Sequence, residues 1–155
     1  MSNPSDSKKK SGSSDRSRKA QVWIGVPEKS ASKKPARVLL FRVIPKRGGG
    51  WHPVTGGVDP GESFMAGAQR EVHEETGMDP SEGQWIDLEF SYVFDGRFGR
   101  AEEHAFGFIL KGEIEPELDS SEHSEFEWVS AEEALQRVGF DSQRDALQRF
   151  LCYLR

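Results

Sequence analysis

A single cysteine, Cys152, stands among 155 residues, so no internal disulfide can form and no thiolate zinc site of the usual kind is available. No apolar run approaches the ~18 residues needed to cross a bilayer. The N-terminal residues are rich in lysine and serine and carry no apolar stretch of the secretory kind. These absences predict a cytoplasmic protein with no membrane contact. With 35% hydrophobic and 30% charged residues, the chain has the size and composition of one globular domain.

The net charge of −5 conceals an asymmetry. Residues 1–20 hold six basic and two acidic side chains and almost nothing apolar, which predicts a disordered basic tail over 1–20 and a folded domain over 21–155. The remaining residues carry fifteen basic against twenty-four acidic side chains, a poor electrostatic match to a nucleic-acid backbone. A phosphate-bearing small molecule is compatible with such a domain if a divalent cation screens the acids.

Short β-type runs follow at Gln21 to Val26, Arg37 to Val43 and Trp51 to Val54, separated by turns rich in lysine, proline and glycine. Gly56 to Gly61 reads as a loop, and Ser63 to Thr76 reads as a helix closed by Gly77. Gln84 to Phe94, His104 to Ile114 and Glu125 to Val129 read as strands. Ala131 to Arg137 and Asp141 to Leu154 read as helices, the second with Ala146, Leu147, Phe150, Leu151 and Leu154 along one side. This order predicts an α/β or α+β fold, a mixed sheet covered by helices. His52, His73, His104 and His123 have no ligand-like spacing and are expected to face solvent, and Tyr92 is read as a strand residue.

The first helix carries the chemistry. At about 100° per residue, Glu71, Glu74 and Glu75 share one face with Arg70, beside the apolar stripe of Met65, Ala68 and Val72. Gly67 falls inside the acidic stripe, where a missing side chain leaves room for an ion or a phosphate. A solvated face with Arg70 and Glu74 as an i, i+4 pair accounts for the same pattern. If the acids are enclosed, two carboxylates about 6 Å apart repel by up to about 3 kcal/mol at an effective dielectric near 20, and a hard cation is the usual remedy.

Gly56, Glu62, Arg70-Glu71-Val72, Glu74-Glu75, Gly77 and Met78 together meet every specified position of the Nudix box, and the chain resembles the Nudix hydrolases. That resemblance implies an α/β/α sandwich around a mixed sheet, and hydrolysis of a diphosphate linkage by metal-assisted attack of water on phosphorus. It implies Mg²⁺ as cofactor, with Mn²⁺ as a substitute. Glu71 and Glu75 match the metal ligands, Glu74 a further direct or water-mediated ligand, and Thr55 a backbone-carbonyl ligand. Glu62 and Arg70 match a structural pair that holds the loop against the helix, and Gly56 and Gly77 match the structural glycines.

Outside the box, Arg37-Val-Leu-Leu with Arg42, Trp51-His-Pro-Val-Thr-Gly, Ser121-Glu122-His123, Phe126, Trp128, Ser142, Arg144 and Phe150 resemble the bacterial dihydroneopterin triphosphate pyrophosphatases. The attacking water must give its proton to a box carboxylate such as Glu74 or Glu75, or to a Glu outside the box; by that likeness Glu122 completes the metal site or serves as base, with Glu125 and Glu103 as alternatives. Arg42 and Thr55 match substrate-contacting positions, and Trp51 stacks on a ring or belongs to the core. The substrate expected is a small diphosphate compound: dihydroneopterin triphosphate, or a nucleoside triphosphate, a dinucleoside polyphosphate or a nucleotide sugar. A Nudix-fold module that binds a nucleotide without cleaving it is the competing class, and it usually lacks the box carboxylates that this chain keeps.

Overall fold

The computed structural model describes residues 16–155, and most of the basic tail expected over 1–20 lies outside the described residues. Seven strands form one mixed sheet: β1 (Ser17–Val26), β2 (Arg37–Val43), β3 (Trp51–His52), β4 (Val54–Gly57), β5 (Gln84–Gly96), β6 (Gly99–Ile109) and β7 (His123–Ser130). Helix α1 (Phe64–Thr76) covers one face, and α2 (Ala131–Arg137) and α3 (Asp141–Leu151) cover the other. The result is the mixed sheet covered by helices that the order of elements predicts, in the α/β sandwich that the resemblance implies.

Side-chain alternation on the central strand assigns the two cores. Ala20, Val22, Ile24 and Val26 join Ala68 and Val72 of α1, while Trp23 joins Ala146, Leu147 and Phe150 of α3. Gly25 and Gly107 let α3 approach the sheet, because a Cβ on Gly107 would stand 2.4 Å from the Phe150 ring. Ser63 caps α1 by accepting the Ala66 N–H at 3.0 Å, and Gly77 ends it in the left-handed conformation at φ 73°.

One edge of β1 is shared. Its outer half, Ile24 to Val26, pairs with β2, and its inner half, Lys19 to Val22, pairs with β4, so the sheet forks. The opposite edge runs parallel to β6 from Ser17↔Ala101 to Gly25↔Ile109. The strand therefore begins at Ser17, four residues before the predicted start at Gln21. Pairing on both edges holds these hydrophilic residues, and they read as tail because this end of the strand lines a cleft instead of a core. Gly56 and Gly57, expected in a loop, extend β4 for the same reason.

Candidate active site

Where the fork opens, a cleft of about 530 Å³ is lined by Lys19 of β1, Thr55, Gly56 and Gly57 of β4, Glu71 of α1, and Glu122 and His123 at the start of β7. The β5–β6 hairpin from Phe94 to Ala101 completes it.

The loop before α1 is fastened first. Arg70 grips Glu62 with two hydrogen bonds, Nε to Oε2 and Nη2 to Oε1, both at 2.9 Å, and donates from Nη2 to the Gly57 carbonyl at 2.8 Å. The guanidinium and the Asp59 N–H hold the Glu62 carboxyl at about 2, well below its ordinary 4.5. Arg18 adds a bond to the Glu62 carbonyl at 2.8 Å and lies over the Phe64 ring at 4.5 Å. Through Nη1, Arg70 also holds Glu71 Oε1 and Glu74 Oε1, each at 3.1 Å.

Three carboxylates of the stripe thereby separate in role. Glu74 is exposed and lies against Arg70, outside the cleft lining. Glu71 is largely enclosed and crosses Gly56 into the cleft. Glu75, one turn further, is 2% exposed, and neither of its oxygens has a hydrogen-bond partner. Burial pushes its carboxyl well above the ordinary carboxylate range, and Glu71, Glu122 and Asp119 add to the shift. Gly67 does not leave the space expected of it, because a Cβ there would meet Val58 at 2.8 Å and Glu62 at 3.2 Å. The loop fills that gap, and the glycine that clears a path for a carboxylate is Gly56.

Glu122 reaches the cluster from the opposite side of the cleft. It pairs with Arg47 at 3.5 Å, and burial raises its carboxyl, opposed by Arg47 and reinforced by Glu71 and Asp119. The other two acids considered for its role lie elsewhere. Glu125 is exposed on Arg42, and Glu103 is buried on the α3 face, where it accepts from Gln21 Nε2 at 2.8 Å and Tyr92 OH at 2.5 Å.

Of the three substrate-contacting residues expected, only Thr55 lines the cleft. Arg42 pairs with Glu125, and Trp51 packs partly buried against the α3-side core, with the guanidinium groups of Arg42 and Arg137 6.0 and 5.0 Å from its ring. The histidines also depart from the expectation of solvent exposure, which holds for His73 alone. His123 is buried with Nε2 3.9 Å from Glu75 Oε1, and burial lowers its pKa. His104 stacks on Phe64 at 3.7 Å, and His52 is fixed between the Gly49 carbonyl and Gln143. Sequence reasoning missed Lys19, Arg47 and His123 as cleft residues. The one signal for His123 was its place directly after Glu122.

Among the described residues no three carboxylate, imidazole or thiol side chains already stand in ligand geometry. The positions nonetheless suit a hard divalent cation. Glu71, Glu74 and Glu122 each set one carboxylate oxygen, Oε1, against an arginine. Glu75 is left as a buried carboxyl without a partner, which costs free energy unless a cation or proton satisfies it. An all-oxygen donor set of this kind matches a hard divalent cation and not a thiophilic metal.

The family model described as NUDIX domain matches residues 22–150. The chain belongs to this family. It is 37% identical over 120 residues to the octanoyltransferase of Myxococcus xanthus, a match covering 74% of this chain and 32% of that protein. It is thus similar to about a third of that relative. It is 31% identical over 117 residues to the dihydroneopterin triphosphate diphosphatase of Haemophilus influenzae, covering 68% of this chain and 73% of that protein. The crystal structure of a C. elegans Ap4A hydrolase binary complex superposes with a TM-score of 0.75 at 21% identity, covering 89% of this chain and 97% of that one. That likeness is one of fold.

Proposed function

We propose that this Nudix-domain chain hydrolyses a diphosphate linkage in a small phosphorylated metabolite, using a divalent cation held by Glu71, Glu75 and Glu122. The observation that carries the reading is Glu75, a buried carboxyl with two unpartnered oxygens beside the cleft residues Glu71, Glu122 and His123. Its neighbours Glu71 and Glu122 belong to different elements and meet only there.

A bound Mg²⁺ or Mn²⁺ supplies charge neutralisation for the phosphate oxygens and polarises the phosphorus under attack. The chain's own residues do the rest. Arg70 fixes the Glu71 carboxyl by one oxygen, so the other is presented across Gly56. Thr55 lines the same cleft, where its backbone carbonyl would supply a neutral oxygen. Glu74, exposed beside Arg70, contributes through water. Lys19 and Arg47 line the cleft as cations for phosphate oxygens. Water attacks phosphorus, and a carboxylate of the cluster takes its proton, with Glu122, which reaches the cleft from outside the helix, as the first candidate. Arg42 and Trp51 lie outside the cleft lining and are given no part in this reading.

Dihydroneopterin triphosphate, cleaved to the monophosphate and pyrophosphate, is the first candidate substrate, supported by the residues shared with that subfamily and by the 31% identical relative. Nucleoside triphosphates, dinucleoside polyphosphates and nucleotide sugars are the other classes that fit a polar cleft of this size. The test is product analysis by chromatography and mass spectrometry on all four classes with Mg²⁺, with Glu75→Gln as the blank. Metal-dependent cleavage absent from the blank is the expected result. Binding without cleavage of any compound would replace the hydrolase with a binding module.

A further inference from the structure

β7 carries a bulge just where it reaches the cleft. Phe41↔Phe126 and Arg42↔Glu125 are consecutive pairs, but the next residue of β2, Val43, stands opposite His123, so Ser124 is the extra residue. Phe126 and His123 are three apart, and in an unbroken strand they would face opposite sides of the sheet. Phe41 and Val43 are two apart and share the α1 face, so the bulge gives their partners Phe126 and His123 that face as well. Without it Ser124 would point toward α1 and His123 away. A bulge of this kind re-aims a side chain, and the one it re-aims here is the imidazole.

The backbone around the ring is pinned on both sides. Ile44 donates to the Glu122 carbonyl at 3.0 Å, and the His123 N–H donates to the Asp119 carbonyl at 2.9 Å. The ring itself is 4% exposed and packs on Phe41 at 5.1 Å between centroids, yet its Nδ1 has no hydrogen-bond partner. An apolar side chain would fill this space without burying a polar atom, so packing does not account for a histidine here.

Its chemistry is aimed at Glu75. Nε2 stands 3.9 Å from Glu75 Oε1, and no other Lys, Arg or His side chain among the described residues pairs with that carboxyl. The separation is longer than a hydrogen bond. The terminal torsion of a glutamate is broad, however, so a turn of the carboxyl plane brings an oxygen to the donor at little cost. The other two carboxylates of the cleft already show the pattern: Arg70 holds Glu71 Oε1 at 3.1 Å, and Arg47 holds Glu122 Oε1 at 3.5 Å. For Glu75 the corresponding nitrogen is that of His123. An imidazole N–H donates without placing a full positive charge beside a bound cation, which a guanidinium at this buried position would do.

We propose that His123 is the positioning residue of Glu75, donating from Nε2–H to Oε1 and leaving Oε2 for the cation. The assignment rests on the reading of Glu75 as a cation ligand and adds the group that orients it. A carboxylate only accepts, so the proton of the ring belongs on Nε2 and Nδ1 keeps its lone pair.

Three variants separate the donor from the ring. The amide nitrogen of His123→Gln falls near the place of Nε2, that of His123→Asn near the place of Nδ1, and His123→Phe keeps a ring with no donor. Mn²⁺ affinity is measured on the substrate-free protein from the paramagnetic resonance signal of the free ion. His123→Phe and His123→Asn should bind about ten- to hundred-fold more weakly than wild type, and His123→Gln should recover most of the loss. With a cleaved substrate at saturating Mg²⁺, His123→Phe should lower kcat and leave KM nearly unchanged. In the Mg²⁺-bound wild type, nitrogen NMR should show the Nε2–H tautomer of His123. Wild-type affinity in His123→Phe, affinity in His123→Gln as weak as in His123→Asn, or the Nδ1–H tautomer each overturns the proposal and leaves the hydrolase reading standing. A wild type that binds neither cation removes the hydrolase reading and the proposal with it. Near-UV circular dichroism of the metal-free variants shows which are folded, and the Asn–Gln comparison decides the question if His123→Phe is not.

Discussion

Glu71 lies so close across Gly56 that a Cβ at position 56 would stand 2.2 Å from its carboxyl carbon. The box glycine is thus required by a neighbour on another element, since the strand backbone itself imposes no unusual angle there. Gly56→Ala must either displace Glu71 or part β4 from α1. Overpacking of this kind costs about 1–3 kcal/mol. Urea denaturation should register that loss, and calorimetric titration should show at least a tenfold weaker Mg²⁺ affinity. Unaltered metal affinity would remove Glu71 from the ligand set.

Glu75→Gln should separate stability from function. In the metal-free protein the charged carboxyl opposes folding, because its raised folded pKa makes the penalty set in as pH climbs past its ordinary 4.5. Neutralising it should stabilise the metal-free protein by about 1–3 kcal/mol at pH 7. The same change should abolish the rise in melting temperature that Mn²⁺ or Mg²⁺ gives the wild type, and lower turnover by several orders of magnitude. Melting curves with and without metal check both halves, and destabilisation of the metal-free variant would contradict the burial argument.

Glu62 acts with the opposite sign. Its folded pKa of about 2 is depressed from 4.5, so its contribution is fully present above 4.5 and is lost as pH falls from there toward 2. The wild-type melting temperature should therefore drop more steeply across that window than that of Glu62→Gln. Parallel slopes would show that the Arg70 pair does not hold the loop.

On the α3 face, Tyr92 donates to the buried Glu103 and its hydroxyl lies 3.2 Å from Gln21 Nε2. A hydrogen bond to a charged group contributes about 1.5–3 kcal/mol, so Tyr92→Phe should lose stability in that range at pH 7. Burial and Glu103 push the phenol above its ordinary 10, so the folded state binds this proton more tightly than the unfolded one. Stability should fall as pH rises past 10 in the wild type and fall less in Tyr92→Phe, as read by denaturation at pH 9 and pH 11.

The sequence by itself determined the run of strands and helices, the helix from Ser63 to its end at Gly77, and the acidic stripe of Glu71, Glu74 and Glu75. These depend on spacing within one element, and a period of 3.6 or 2 places such residues whatever surrounds them. It did not determine which acids the protein encloses. Glu74 and Glu75 are adjacent and chemically identical, yet the packing of α1 against the sheet leaves one in solvent and the other without a partner. Nor did it place Lys19, whose strand is held by pairing on both edges. Glu122, His123 and Phe98 meet the cleft through strands far apart in the chain. Their positions follow from long-range register and from desolvation, and no local pattern of residues encodes either quantity.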